Sequence, residues 1–390
     1  MKRVLVLDAS QRSALAVTRA LGSKGVQVFT AEESSSSLAG SSRFSQQYLE
    51  YPSPNQNPDQ FVQSLANLVR QHNIDILLPM TELTTELLLK NKSGFAESTI
   101  PLADIKTIAT LANKCSLMHM AEELDVPIPT TWYADSPESL SLDLDNLSYP
   151  LVLKPGRSWL LHNGSWDRAA VFFANNPIQA RDILNSETAF HVHPFILQEC
   201  VSGHGAGVFA IYDHGKPLAF FAHSRLREKP PSGGVSVLSE SISIDPLLLK
   251  HTRALLDKVN WHGIAMVEFK VAEDGTPYLM EINTRFWGSL QLAIDAGVDF
   301  PWLLYQLACG QQPDPTTGFK TGIRLRWMLG DIDNLYLTLR DTRYSFTTKL
   351  NAVRLFLTPS PFKTRHEVNR LNDIAPAWYE LKQYLGALRG

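Results

Sequence analysis

The stretch from Gly263 to Ser289, GIAMVEFKVAEDGTPYLMEINTRFWGS, constrains the chain most. Two apolar-alternating runs, Ile264–Val271 and Thr276–Asn283, flank Asp274-Gly275, and Asp-Gly between such runs is a strong short-range hairpin signal. Centring the hairpin on that pair sets Glu268 across from Glu281. Alternation then gives Val267, Phe269 and Val271 one face with Tyr278, Met280 and Ile282. Glu268, Glu281 and Asn283 take the other. Opposed Cβ atoms in a sheet lie roughly 4.5–5.5 Å apart, and like charges there destabilise the pair. A cation is expected between them. Two carboxylates and an amide oxygen are hard ligands that suit Mg²⁺, with Mn²⁺ as an alternative. The competing reading is a solvated face neutralised by Lys270 and Arg285.

The chain of 390 residues is long enough for two or three cores, and a net charge of −3 argues against general nucleic-acid or anionic-membrane binding. Cys115, Cys200 and Cys309 lack metal or redox spacing. The chain opens on a strand pattern rather than a signal peptide, and no window reaches the length of a membrane span, so a cytoplasmic protein is expected.

The fold class expected is α/β followed by α+β. Strand 2–8, a helix from about Ser13 to Lys24 and strand Val26–Thr30 read as the opening βαβ of a doubly wound, Rossmann-like sheet. Its first turn, Asp8-Ala9-Ser10-Gln11-Arg12, is no G-x-G-x-x-G, which disfavours a dinucleotide dehydrogenase. Residues 33–42, rich in serine, are expected to be a mobile loop. A further helix (Asp59–Gln71), a strand (Ile74–Pro79) and a helix (Thr81–Leu89) complete a unit ending near residue 105. Hairpin-type strands and helices at Leu111–Leu124, Pro177–Asn185, Pro246–Val259 and Phe300–Gln311 occupy about 106–310, with a lid subdomain at about 130–200, and a helical extension covers 311–390.

Other residues suit anions. Lys114 stands at a helix start, where the helix dipole favours negative charge. Lys154 ends the apolar strand Pro150–Lys154, ahead of Gly156–Ser165, whose glycines and serines, Ser158 among them, can offer donors to phosphate. That segment, Gly156–Gly164, is expected to lack regular structure and to act as a lid. The strand 195–201 exits into a loop, where the backbone of Glu199 and Val201 and the side chain of Gln198 can meet an adenine edge. Arg225 and Arg227 fall on one side of a strand and fit carboxylate or phosphate. The histidines, His214 and His262 included, show no metal-ligand spacing.

Taken in order, Lys114, Lys154 with its Gly/Ser loop, the Gln198–Val201 connector and Glu268…Glu281-x-Asn283 resemble the ATP-grasp superfamily. Glu281–Arg285 is similar to the metal-and-phosphate strand of biotin carboxylases. Phe286–Leu290, Arg225–Ser236 and Arg324–Asp331 resemble a carboxylate–amine ligase-like branch. The resemblance implies a pre-grasp domain at 1–105 and an ATP-dependent ligase that activates a carboxylate as an acylphosphate for attack by an amine. Both substrates would be small molecules, and a homodimer is left open. In it Lys114, Lys154, Ser158, Gln198, Glu199 and Val201 would hold ATP. Glu268, Glu281 and Asn283 would hold Mg²⁺, and Arg285 would face the γ-phosphate. D-alanine–D-alanine ligases carry an arginine two residues before the first metal acid; Met266 stands there here, which leaves Arg225 or Arg227 to supply the charge. A carboxylase or carbonyl-phosphate former, and a nucleotide-binding regulator without catalysis, are the alternatives.

Overall fold

The computed structural model describes residues 1–162, 165–231, 233–358 and 363–388. The first unit is a parallel sheet of β1 (Val4–Val6), β2 (Val28–Glu32), β3 (Gln47–Glu50) and β4 (Ile76–Leu78), ordered β3-β2-β1-β4. Helix α1 (Arg12–Gly22) crosses from β1 to β2 and α2 (Pro58–His72) from β3 to β4, the serine-rich stretch joins β2 to β3 without a helix, and α3 (Glu82–Lys90) follows β4. The expected helix over 111–124 is preceded by another: α4 (Ile105–Ala112) stops and α5 (Lys114–Glu123) starts at Asn113, whose side chain accepts from the Ser116 N–H at 3.2 Å.

A second, antiparallel sheet contains β5 (Thr131–Ala134) and β6 (Leu151–Pro155), and its remaining strands follow the hairpin β7 (Trp159–His162) and β8 (Ser165–Arg168). They are β9 (Phe172–Ala174) and, after α6 (Pro177–Ser186) and α7 (Ala189–Val192), β10 (Phe195–Glu199). The Gly156–Gly164 segment is thus a strand-bearing hairpin rather than an irregular loop; Asn163 and Gly164 lie outside the described residues.

The third sheet is built on β11 (His204–Asp213), β12 (Lys216–Lys229), β13 (Val235–Ser241), α8 (Pro246–Lys258), β14 (Gly263–Val271) and β15 (Pro277–Asn283). Then come α9 (Leu290–Ala296), α10 (Phe300–Ala308), β16 (Arg324–Arg326), α11 (Met328–Arg340), α12 (Phe346–Leu357), β17 (Thr364–His366) and α13 (Ala375–Ala387). Strand order is β15-β14-β11-β12-β13-β16-β17, so the helical tail also supplies two strands to the central sheet. Three residues each are too short to read as strands by alternation alone.

The serine-rich segment is pinned rather than loose. Leu38 and Ala39 are buried, the Ala39 N–H donates to the Ala9 carbonyl at 2.8 Å, and the Ser42 hydroxyl donates to Asp373 at 2.7 Å.

Asp8 closes the first βα turn with φ at +52°. One oxygen accepts from the N–H groups of Met80 and Thr81, each at 2.9 Å, and from the Thr84 hydroxyl at 2.6 Å. Burial pushes its carboxyl up to about 6, against those hydrogen bonds. A carboxyl raised in the fold contributes stability present below its unfolded value of 3.8, lost as pH rises through about 6. Asp8→Asn keeps the acceptor and tolerates the left-handed backbone. At pH 8 it should melt above the wild type, by up to about 3 kcal/mol in stability, with the gap closing below pH 4; equal melting at pH 8 would reject this.

Candidate active site

The hairpin reaches the expected pairing by an unexpected route. The turn is three residues, Glu273–Gly275, closed by the Ala272 N–H on the Thr276 carbonyl at 2.9 Å, with Gly275 at φ +87°. This sets Val271 against Pro277 and Phe269 against Leu279, one residue off the expected register. A bulge between Glu268 and Phe269 on the pairing then restores Glu268 opposite Glu281. The face assignment changes accordingly: Leu279, fully buried, joins Phe269 in the core, while Tyr278 and Met280 are only partly buried.

Around the pair, Asn283 Nδ2 lies 3.0 Å from a Glu268 oxygen and 3.3 Å from a Glu281 oxygen. Arg225 Nη2 donates to the other Glu268 oxygen at 2.5 Å. Arg225 belongs to β12 and must cross β11 to do so. The β11 residues on that path are Gly207, opposite Glu268 in the ladder, and Gly205, where an added Cβ would already touch the Arg225 Cδ at 4.0 Å. The missing arginine at Met266 is thus matched by a guanidinium reaching over from β12.

The two acids differ. Burial drives Glu268 upward, more than Arg225 draws it down, so its carboxyl sits above the usual range. Burial acts on Glu281 too, but Lys114, Lys154, the Asn283 amide and Arg285 together hold it below. An acid pair with an amide between it gives an all-oxygen donor set once the amide makes a half-turn. That set fits a hard divalent cation, and Glu268, Glu281 and Asn283 are the residues that would hold one.

Beside them lies a cavity of about 330 Å³ lined by Lys114, Ser158, Glu281, Asn283 and Arg285. Lys114 is buried at the first turn of α5, which is placed by its N–H on the Gly156 carbonyl at 2.7 Å. Gly156 is there for close approach: a Cβ would meet the Pro194 carbonyl oxygen at 2.8 Å. Its own N–H donates to that carbonyl, so it is not free for phosphate, contrary to the loop reading.

Gln198 is reassigned. It is buried, its Oε1 accepts from Lys154 Nζ at 2.7 Å and its Nε2 donates to the Thr131 hydroxyl at 2.9 Å. It steadies Lys154 instead of meeting a base. The Glu199 N–H is likewise taken, by the Thr130 carbonyl at 3.0 Å, whereas Val201 beyond the strand makes no hydrogen bond among the described residues. Burial, with Lys114 nearby, pushes the Lys154 ammonium down to about 8.

Arg227 leaves the expected set. Bulges flank it on β12, and both its Nε and Nη2 donate to Asp331, at 2.6 Å each. Glu82 was missed: at the start of α3 it lines the same cavity, raised by burial against the pull of Lys114 and Arg285. Its signal was an acid at the carboxyl end of a parallel strand, the usual ligand-facing edge of such sheets. The fold also groups Asp213, His214 and His262, whose ligand atoms lie within 4.8 Å of one another, which the sequence spacing hid. Burial raises the Cys115 thiol, which packs partly buried against the core as a small apolar residue.

Residues 191–330 match the family described as ATP-grasp in the biosynthetic pathway with Ter operon. Among solved structures, the chain is similar to an L-amino acid ligase from Bacillus licheniformis, at TM-score 0.61 and 15% identity over 79% of this chain and 74% of that one. A biotin carboxylase from Campylobacter jejuni aligns at TM-score 0.66 and 13% identity, over 82% and 74%. The chain has the ATP-grasp fold. Within that fold the acid hairpin and the Arg225 crossing lie on the seven-stranded sheet, Lys154 on the four-stranded sheet and Lys114 on α5. A curated relative, D-aspartate ligase of Enterococcus faecium (strain Aus0004), is 21% identical, and the match spans 58% of each chain. Among the described residues no helix is long and apolar enough to cross a membrane.

Proposed function

We propose that the protein is an ATP-dependent carboxylate–amine ligase, organised as units at about 1–105, 106–310 and 311–390. The observation that carries this reading is the opposed Glu268–Glu281 pair with Asn283 between them, beside a cavity that Glu281 and Asn283 line together with Lys114 and Arg285. The ligase names of the Enterococcus and Bacillus relatives support the same reading.

Carboxylate and γ-phosphate repel each other, so the task is neutralisation and alignment. Lys114 and Lys154 hold the ATP phosphates, with Ser158 beside them, and Val201 is left for the base. Arg285 faces the γ-phosphate, and Arg225 steadies Glu268. Mg²⁺, held by Glu268, Glu281 and Asn283, adds neutralising charge to the phosphates when bound. A carboxylate oxygen takes the γ-phosphoryl group and ADP leaves. An amine then attacks the acyl carbon, loses a proton, and phosphate departs with the oxygen that came from the carboxylate.

Lys154→Ala should weaken ATP binding by about 1.5–3 kcal/mol, the scale of hydrogen bonds to charged groups. Because the free lysine titrates near 8, ATP binding at pH 8.5 should take up a proton, read as a buffer-dependent calorimetric heat, and affinity should fall as pH rises further. Buffer-independent heat and unchanged affinity in the variant would reject the role.

The reaction class is tested by phosphate release from ATP over a panel of carboxylates, each with and without amines. Dependence on both supports the ligase. Release driven by bicarbonate alone would favour the carboxylase reading, which the biotin carboxylase fold likeness keeps alive.

A further inference from the structure

Helix α12 is apolar on two opposite sides, and the fold uses one of them. Ala352, Leu355 and Phe356 turn towards β12 and α11, where they line a shared cavity. The other side carries Phe346, Leu350, Val353 and Leu357, spaced four, three and four residues apart, which sets them in one stripe along the helix. Phe346, Leu350 and Leu357 are 80%, 59% and 69% exposed, and Val353 is partly buried. The start of the helix is fixed by Ser345, whose hydroxyl accepts from the Thr348 N–H at 3.2 Å. An ordinary surface helix puts polar residues on its outer side, and a continuous exposed apolar stripe marks a contact surface.

The stripe is edged by cations. By helical periodicity Lys349 and Arg354 stand on either side of it, and neither makes an ion pair among the described residues. Between residues 340 and 366 there are six Lys or Arg and one acid, Asp341, which Arg343 takes at 2.7 Å. The net charge of −3 for the whole chain, which argues against general binding to anionic membranes, averages over this local excess.

We infer that α12 is an interfacial helix that lies on an anionic lipid surface. Phe346, Leu350 and Leu357 would enter the boundary between headgroups and acyl chains, while Lys349 and Arg354 reach sideways to the headgroup phosphates. A basic amphipathic helix with Phe and Leu on one side has the composition such a surface selects. Self-pairing across the stripe is disfavoured, because α12 carries no acid and would set its cations against their own copies. An acidic protein partner would satisfy the charges but would need a groove shaped to a whole ridge. A bilayer takes the ridge as it stands. The inference is independent of the ligase reading.

The test is co-sedimentation of the full chain with vesicles of phosphatidylcholine alone and of phosphatidylcholine mixed with phosphatidylglycerol. The wild type should bind the anionic vesicles roughly ten-fold more tightly than the neutral ones, and added salt should weaken that binding. Amide exchange across 346–357 should slow on the anionic vesicles. Leu350→Glu breaks the stripe and Lys349→Glu/Arg354→Glu reverses its edges. Each should lose roughly ten-fold or more in vesicle affinity, with the melting temperature unchanged because all three side chains face solvent. Ile178→Glu, at an exposed apolar residue of α6, should bind as the wild type does. No binding to anionic vesicles, equal binding to both kinds, or full affinity in either α12 variant would overturn the proposal. So would a dimer of the full chain that Leu350→Glu dissociates, because a second copy would then cover the stripe.

Discussion

Glu268→Gln and Glu281→Gln should both abolish phosphate release from ATP, yet shift the melting temperature in opposite directions in metal-free buffer. Each substitution preserves shape and removes a charge from the pair that would hold the cation. For Glu268 the ionised form is disfavoured on balance, because burial and Glu281 outweigh Arg225, so a neutral amide should leave the fold as stable or more stable. For Glu281 the ionised form is favoured, because Lys114, Lys154, Asn283 and Arg285 surround it. Its amide leaves those cations without a counter-charge and should melt lower. The linkage has matching signs. The raised Glu268 loses stability as pH climbs through its folded value, and the lowered Glu281 loses it as pH falls through its own. Adding Mg²⁺ should raise the melting temperature of the wild type and of neither variant. A solvated strand face would instead leave turnover intact and melting nearly unchanged, and that pair of results would remove the metal assignment.

Arg19→Met should be the most destabilising single change outside the site. Arg19 lies on α1 of the first sheet, and its partners lie on the last stretch of chain. Its Nε donates to Asp373 at 2.8 Å, and its Nη atoms donate to the carbonyls of Glu367, Val368 and Asp373, each at 2.9 Å. Asp373 also accepts from the Ser42 hydroxyl and from the Arg43 N–H. The side chains of Arg19 and Asp373 are 9% and 1% exposed, so the substitution strands a buried carboxylate. Breaking such a pair on one side costs about 3–5 kcal/mol. Arg12, paired with Glu367 and set 4.0 Å over the Trp327 ring, joins the same two regions and would not compensate fully. Amide exchange should rise first at 363–388, with melting lowered. Unchanged melting and protection would mean that the tail is held by its apolar contacts alone.

Much of the site was legible because strand alternation and turn chemistry act locally. The Glu268–Glu281 pairing, Asn283 beside it and Lys114 at a helix start follow from spacing over a few residues. The same local rules misplaced Tyr278 and Met280, because a three-residue turn and a bulge offset each other and only the sum was visible. What was not legible depends on distant chain. Gln198 faces Lys154 across a sheet, Arg225 reaches Glu268 over two glycines of a neighbouring strand, and Arg227 is claimed by Asp331 more than a hundred residues later. β16 is a strand only because β13 offers it an edge, and β17 only because β16 does so in turn. Glu82 was visible as a residue but needed the first sheet to be packed against the third before it faced Lys114.

The account turns on carboxylate activation, and isotope transfer measures that directly. A carboxylate that supports phosphate release is labelled with ¹⁸O in both oxygens and turned over with ATP and amine. The predicted result is one ¹⁸O atom in each phosphate released, with the other retained in the amide product. Unlabelled phosphate would contradict the account, because it would mean that water, and not the carboxylate, had taken the γ-phosphoryl group.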